Sequence, residues 1–311
     1  MGKLDLLKVT PLKNTGNTCY MNASIQCIFN CIAFTNNILQ LNCPVYLDDE
    51  HTKVNPLYMY RQTLIDYFDE QTGSLGPSMF KNLIAKHDSG FVGSRQQDSN
   101  EFFVKFLDIM DEEFKKQHKN NSKLENLMVN YFDSKIVQVL KCNMCGHESR
   151  KNCEDRYLTL PIINKNGKNV KTLNTFEQAK QHYFSVEQLD ENNKWECDKC
   201  KQKSRAFKSL QINNTPHYLV IQLKRFDYLN NRAVKLNFPV EMEFDINVNN
   251  KYGLIGIVFH MGGPGGGHYN AMIFKNGKWY ICDDLRISEV SKDYVKERKN
   301  TGYMYIYEKY P

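Results

Sequence analysis

Cys19 lies in the stretch Asn14-Thr15-Gly16-Asn17-Thr18-Cys19-Tyr20-Met21-Asn22, five residues after a loop carboxamide, Asn14, and at the head of an apolar pattern with helical spacing. Met21, Ile25, Ile28, Phe29 and Ile32 recur every three or four residues, which predicts a helix that Cys19 opens. A thiol there faces the positive end of the helix dipole, where the thiolate is favoured, and so suits a nucleophile. A cysteine beside an apolar helix is otherwise only a small buried hydrophobe. Three further groups of residues weigh against that plainer reading.

Cys142 and Cys145, and again Cys197 and Cys200, are each separated by two residues, the spacing at which a tight knuckle offers two sulfurs to one ion. Two such pairs predict a tetrahedral four-cysteine zinc site, structural because no ligand position is left open. The 51 residues between the pairs (146–196) exceed what a compact ribbon needs and predict that the metal clamps the base of an extended β insertion. Cys27, Cys31, Cys43, Cys153 and Cys282 read as ordinary buried or half-buried thiols.

His260 and His268 bracket a glycine-rich stretch, His260-Met261-Gly262-Gly263-Pro264-Gly265-Gly266-Gly267-His268-Tyr269, which reads as a loop between two strands. Its glycines permit close backbone approach of a ligand. A phosphate cradle is disfavoured, because no Walker lysine follows and the stretch leads into a strand. With a candidate nucleophile elsewhere in the chain, one of the two histidines is the natural base. Asp283, closing the strand pattern Trp279-Tyr280-Ile281-Cys282, could orient it from a neighbouring strand; judged alone, it is a solvated turn acid. Gln96-Gln97-Asp98-Ser99-Asn100-Glu101 opens a long amphipathic pattern, with Asp98 or Ser99 as cap. Asp98 and Glu101, three apart, also place two acids on one face where a basic, extended peptide could dock.

The elements that must position these residues divide the chain in two. To about residue 125 the pattern is mainly helical, clearest in Phe102, Phe103, Phe106, Leu107, Met110 and Phe114; a polar stretch, Lys115 to Lys123, then interrupts it. From about residue 130 short strand patterns follow, including Val137–Leu140, Tyr157–Ile162, Tyr218–Leu223, Leu254–Phe259, Tyr269–Phe274, Trp279–Cys282 and Tyr303–Tyr307. Asn276-Gly277 predicts a hairpin turn. The fold class is therefore α+β, with a helical front and a β-rich back, and no Pro/Gly/Ser linker divides its 311 residues.

A hydrophobic fraction of 41% with 18 Phe and 18 Tyr supplies a sizeable core. The formal charge of +6 is small, and basic residues interleave with acidic ones, so nucleic-acid binding is not indicated. The start, MGKLDLLKVT, has no signal-peptide stretch, the chain has no membrane-length apolar run, and Leu6 occupies the Ser/Thr position of a myristoylation signal. These features favour a reducing, intracellular setting, in cytoplasm or nucleus.

Taken in order, the motifs resemble those of the ubiquitin-specific protease family of cysteine deubiquitinases, from about Pro11 to Glu308. The resemblance rests on NTGNTCYMN, QQDSNEFF and HMGGPGGGHY followed by WYICDD, with YLVIQLKRFDY, NFPVEM and GYMYIYEK in support. It implies a papain-like core with a thumb (about 10–127), zinc-bearing fingers (about 135–212) and a palm (about 128–134 and 213–310). It implies Cys19 as nucleophile, His268 as general base and acid, Asp283 as its orienting partner and Asn14 as oxyanion donor, with no cofactor for catalysis beyond the structural Zn2+. Asp98 and Glu101 would hold ubiquitin's arginine-bearing tail, and Gln97, His260, Gly267 and Tyr269 would line a channel too narrow for side chains larger than glycine. Ubiquitin and ubiquitinated proteins would be the partners of a monomeric catalytic domain, with regulatory partners left open. Thr15, where the family often has leucine, and Cys282, where an aromatic commonly stands, depart from the pattern and bear on packing. Two other readings are a protease for another Gly-Gly modifier and a catalytically silent ubiquitin-binding scaffold.

Overall fold

The computed structural model describes residues 4–41, 55–119, 121–166, 169–191, 193–229 and 231–311, so Cys43 lies outside the described residues. The helix opened by Cys19 spans Cys19–Phe29, and all eleven of its residues are buried. It is enclosed on every side, so its polar residues are buried along with the apolar ones whose spacing predicted the helix. It also stops at Phe29: Ile32 opens a separate helix, Ile32–Gln40. Three more helices surround it: Pro56–Phe68, started by the Asn55 side chain with proline in its first turn, Ser78–His87, and Ser99–Gln117. Tyr60 and Phe106 meet edge-on at 5.0 Å between ring centres, and Phe80 and Phe106 at 5.5 Å, so aromatic packing joins three of these helices.

Behind the helices stands an eight-stranded sheet. Its path runs Arg286–Val290, Lys278–Asp283, Gly266–Lys275, Asn250–Gly263, Gly302–Lys309, Tyr218–Lys224 and Leu158–Pro161, with Asp245–Val248 beside Asn250–Gly263. Only the last neighbouring pair on the path is parallel. Both faces of the sheet are covered, and strand alternation sorts the side chains. Tyr218 and Val220 join the core under the helices, whereas Leu219, Ile221 and Leu223 join a second core on the far face. The Cys19–Phe29 helix lies so close to the sheet that a Cβ on Gly256 would stand 3.2 Å from Cys27 Sγ. No helix among the described residues is long and apolar enough to cross a membrane.

A four-stranded sheet projects from this body, in the order Glu148–Asp155, Ser134–Cys142, Ala206–Asn214, Glu187–Leu189. Its root is Arg156, whose guanidinium takes Asp108 at 2.7 Å, Asp111 at 2.8 Å and Asp133 at 2.9 Å. Two of those acids sit on the Ser99–Gln117 helix and the third precedes the first strand, so one cation joins the projection to the helical lobe. Burial pushes the Asp133 carboxyl up to about 6, with Arg156 pulling the other way. The paired cysteines sit at the opposite end, where the strand closes at Cys142. The metal-type cluster is thus at the tip of the insertion and not at its base, because the segment between the cysteine pairs runs down the sheet as Glu148–Asp155, enters the large sheet as Leu158–Pro161 and returns as Glu187–Leu189. Replacing Arg156 with Ala leaves buried carboxylates facing one another and is expected to lower the unfolding free energy by about 3–5 kcal/mol in urea titration.

Candidate active site

The turn before Cys19 is built by Asn14. Its Oδ1 accepts the backbone N–H groups of Gly16 and Thr18, both at 3.1 Å, while Gly16 (φ 107°) and Asn17 (φ 53°) adopt the left-handed conformations that reverse the chain. Asn14 Nδ2 donates to Asp284 Oδ2 at 3.0 Å, and the buried Asn22 donates to Asp284 Oδ1 at 2.6 Å. Leu12 N–H completes the clamp on the Asp284 carbonyl at 3.1 Å. The residue after Asp283 therefore ties the strand's end to both flanks of Cys19.

His268 and Asp283 meet directly, His268 Nε2 lying 2.5 Å from Asp283 Oδ1. Asn276 (φ 50°) and Gly277 (φ 75°) form the expected tight hairpin, which lays Lys278–Asp283 against Gly266–Lys275 and brings the acid beside the imidazole. The glycine-rich stretch is mostly strand: it pairs to Gly263 and resumes at Gly266, leaving only Pro264 and Gly265 as the turn. Register decides between the two histidines. His260 opposes Tyr269 and shares its face, whereas His268 opposes Met261 and faces the other way.

His260 is only 2% exposed and packs among Tyr269, Phe226 and Tyr303. Burial, with Lys235 nearby, holds its imidazole down at about 4. His268 is 40% exposed at the side chain, and Cys19 only 3%. Among the described residues, Cys19 Sγ takes a donor from Gln96 Nε2 at 3.5 Å and makes no hydrogen bond to His268. Gln96 also pairs with both main-chain groups of Gly267, the residue before His268, so one side chain touches both the sulfur and the strand that bears the imidazole.

Asp98 caps the Ser99–Gln117 helix through Oδ1, which accepts from Asn100 and Glu101 N–H. Its Oδ2 accepts from Tyr303 at 2.7 Å and Tyr269 at 3.3 Å, so this acid is committed to the protein. The Glu101 carboxylate has no hydrogen bond or ion pair among the described residues; although the residue is largely exposed, partial desolvation of the carboxyl, with Asp98 and Asp88 nearby, raises it above the usual range. Gln97 donates to the Gly90 carbonyl at 2.6 Å. A groove of about 340 Å³ runs between Gln96, Gln97 and Asp98 on one side and His260, Gly266 and Tyr269 on the other, and Phe226 and Tyr228 form another wall.

At the far tip, all four cysteine sulfurs lie within 4.8 Å of one another. Cys142 and Cys200 are 3.9 Å apart and Cys145 and Cys197 3.7 Å, near the roughly 3.8 Å between sulfurs that tetrahedral bonds of about 2.3 Å impose. Each knuckle closes in the same way, with Gly146 N–H on the Cys142 carbonyl and Lys201 N–H on the Cys197 carbonyl, both turning residues at positive φ. The Ser204 hydroxyl, 3.1 Å from Cys142 Sγ, draws that thiol's pKa down. The donor set fits a zinc ion. Cys27, Cys31 and Cys282 are buried and Cys153 half-buried; Cys282 packs in the core at the position where the sequence departs from its pattern.

Gln96 and Asp284 are the two site residues that sequence reasoning passed over. Both stood beside residues already singled out, and the signal was adjacency alone. His260 is expected to remain neutral until pH approaches about 4, and its ring-proton NMR resonances are expected not to titrate near the ordinary value of about 6.5. The unfolded chain takes up that proton first, so His260 lowers native stability as pH falls from about 6.5 to about 4.

The family model described as ubiquitin carboxyl-terminal hydrolase matches residues 10–307. The chain is 27% identical over 298 residues to ubiquitin carboxyl-terminal hydrolase 25 of Arabidopsis thaliana, covering 89% of this chain and 44% of that protein. It is 28% identical over 377 residues to ubiquitin carboxyl-terminal hydrolase 4 of Saccharomyces cerevisiae, covering 97% of this chain and 39% of that protein. The chain thus spans less than half the length of these relatives. Among solved structures, the SAGA DUB module of Ubp8, Sgf11, Sus1 and Sgf73 bound to monoubiquitin aligns with a TM-score of 0.81 at 22% identity, over 100% of this chain and 71% of that one. The same module bound to ubiquitin aldehyde gives 0.76 at 22% identity, over 97% and 70%. At that identity the likeness speaks for the fold, and the family match over nearly the whole sequence speaks for descent: the chain belongs to the ubiquitin carboxyl-terminal hydrolase family.

Proposed function

We propose that this protein is a deubiquitinase that hydrolyses the isopeptide or peptide bond after the C-terminal Gly-Gly of ubiquitin, with Cys19 as nucleophile. The reading is carried by one observation: Gln96 bridges a helix-opening thiol to the strand that bears a carboxylate-bound imidazole. Asp283 holds Nε2 of His268, which leaves Nδ1 to take the thiol proton and later give it to the departing lysine amine. Cys19 Sγ attacks the terminal glycine carbonyl, and water resolves the thioester.

The oxyanion would be met by the Cys19 N–H, a first-turn donor the helix itself leaves free, and by the second N–H of Asn14, whose first is fixed on Asp284. Glu101, an acid with an uncommitted carboxylate in the helix turn that Asp98 caps, would take a basic residue of the tail, while Asp98, His260 and Tyr269 shape the walls of the groove. Gly267 supplies a bare floor, since a Cβ there would stand 2.1 Å from the Met261 carbonyl oxygen. Residues of about 10–127 would act as thumb, 135–212 as fingers, and 128–134 with 213–310 as palm. Ubiquitin's globular body would rest on the fingers, where Met144 and Val186 expose apolar side chains.

Cys142, Cys145, Cys197 and Cys200 would hold one zinc ion, which when bound supplies structure and no step of the reaction. The same four thiolates and the free buried thiols suit a reducing, intracellular compartment.

Hydrolysis of a fluorogenic ubiquitin amide is expected to vanish in Cys19→Ala while ubiquitin binding persists; wild-type turnover by that variant would remove Cys19 from the mechanism. Metal analysis is expected to find one zinc per chain, lost in Cys197→Ser together with order in the four-stranded sheet. An intact protein without zinc contradicts the metal assignment.

A further inference from the structure

The geometry points to Gln96 as a displaceable gate: in the free protein its carboxamide covers Cys19 and pairs with the main chain of Gly267, in the place where an entering diglycine backbone would pair. The inference rests on the functional reading above and adds to it how the nucleophile is kept closed.

Gln96 Oε1 accepts the Gly267 N–H at 2.7 Å, and Gln96 Nε2 donates both to the Gly267 carbonyl and to Cys19 Sγ. One amide that gives and receives a hydrogen bond at a single residue reproduces the paired position of two antiparallel strands. Gly267 opposes Gly262 across its hairpin, so groups turned toward Gln96 face the strand's other edge. On that edge the next strand pairs only from Ala271 onward. The edge before Ala271 is therefore open, and at Gly267 the side chain of Gln96 fills it.

An extended peptide entering the groove would add to this edge by main-chain pairing, as strand addition does elsewhere. The floor offers it nothing but backbone: a Cβ on Gly267 would stand 2.6 Å from His260 Nε2, and one on Gly266 would stand 3.2 Å from Gln96 Oε1. The groove of about 340 Å³ includes Gln96 in its lining, and Cys19, which Gln96 touches, is 3% exposed. The Gln96 to Gly267 bonds are solvent-exposed, where exchange with another donor and acceptor has little net cost. A diglycine backbone brings the same donor and acceptor, replaces the carboxamide and uncovers the sulfur.

A rival role, in which Gln96 serves mainly to hold the thiolate by donating to it, predicts on its removal a titration midpoint moved to higher pH and a plateau raised only about threefold per unit of that move, because a more basic thiolate is the better nucleophile. Alkylation of the full chain with iodoacetamide, mapped to Cys19 by peptide mass spectrometry and followed as a function of pH, separates the two. In Gln96→Ala the plateau rate, read above the thiol's titration, is expected to rise roughly tenfold, the scale of one or two ordinary hydrogen bonds. KM for a fluorogenic ubiquitin amide is expected to fall at least threefold. A plateau rate that is unchanged or lower, or one raised no more than a shifted midpoint accounts for, overturns the gate. Gln96→Glu, similar in size but unable to donate, carries the same expectation if the alanine variant fails to fold. A raised plateau in a protein whose wild type cleaves no ubiquitin substrate would support the gate and overturn the functional reading; an unmoved plateau beside normal wild-type cleavage would do the reverse.

Discussion

The Cys19–Phe29 helix has no solvent face, yet it carries Asn22, Ser24 and Gln26 among its buried residues. A buried polar side chain without a partner is costly, so each must find one. Gln26 donates to the Thr10 carbonyl and accepts from Tyr67; Ser24 donates to the Ser99 carbonyl; Asn22 donates to Asp284. Just past the helix, Asn30 donates to the carbonyls of Ile255 and Phe274. These bonds fix the helix against the N-terminal segment, the head of the Ser99–Gln117 helix and the sheet at the same time. Cys19, at one end of the helix, thereby inherits a defined position relative to the strands that bear His268 and Asp283.

The acids around the cleft differ by their partners more than by their chemistry. Asp98 serves as helix cap and tyrosine acceptor, Asp284 as an anchor for two asparagines, and Asp283 as the partner of the exposed imidazole. Among the described residues, the carboxylate of Glu101 alone of these has no ion pair or hydrogen bond. Arg225 shows the complementary case. It is fully buried and meets no carboxylate; its guanidinium donates to the carbonyls of Gly302, Leu236, Phe238 and Lys299, binding together the segments behind the groove. Such a cation works as a multiple donor, and burial lowers its pKa accordingly.

The projecting four-stranded sheet has little core of its own: most of Glu148–Asp155 is exposed. A thin sheet of this kind needs fixing at both ends. At the root Arg156 collects three carboxylates, and at the tip four cysteines converge. Between them, Ile136 joins the core on the far face of the large sheet, with Leu210 and Ile212 packed against it.

Local patterns already settled much of this. The start of the Cys19 helix, the long phenylalanine-rich helix, the Asn276-Gly277 hairpin and the cysteine knuckles depend on residues close in the chain, so spacing alone determined them. Other features depend on residues far apart and emerge only when the chain has folded. Which histidine faces Asp283 follows from hairpin register, since alternation sends neighbouring side chains to opposite faces. That the metal-type cluster lies at the tip follows from how the long insertion folds back on itself. The ties from Gln96 to Gly267 and from Asn14 to Asp284 join positions 171 and 270 residues apart, beyond the reach of any local periodicity. Residue types and their spacing set which chemical groups are present and which elements carry them; packing of the enclosed helix against the sheet sets which of those groups meet, because side-chain contact depends on register and burial across distant segments.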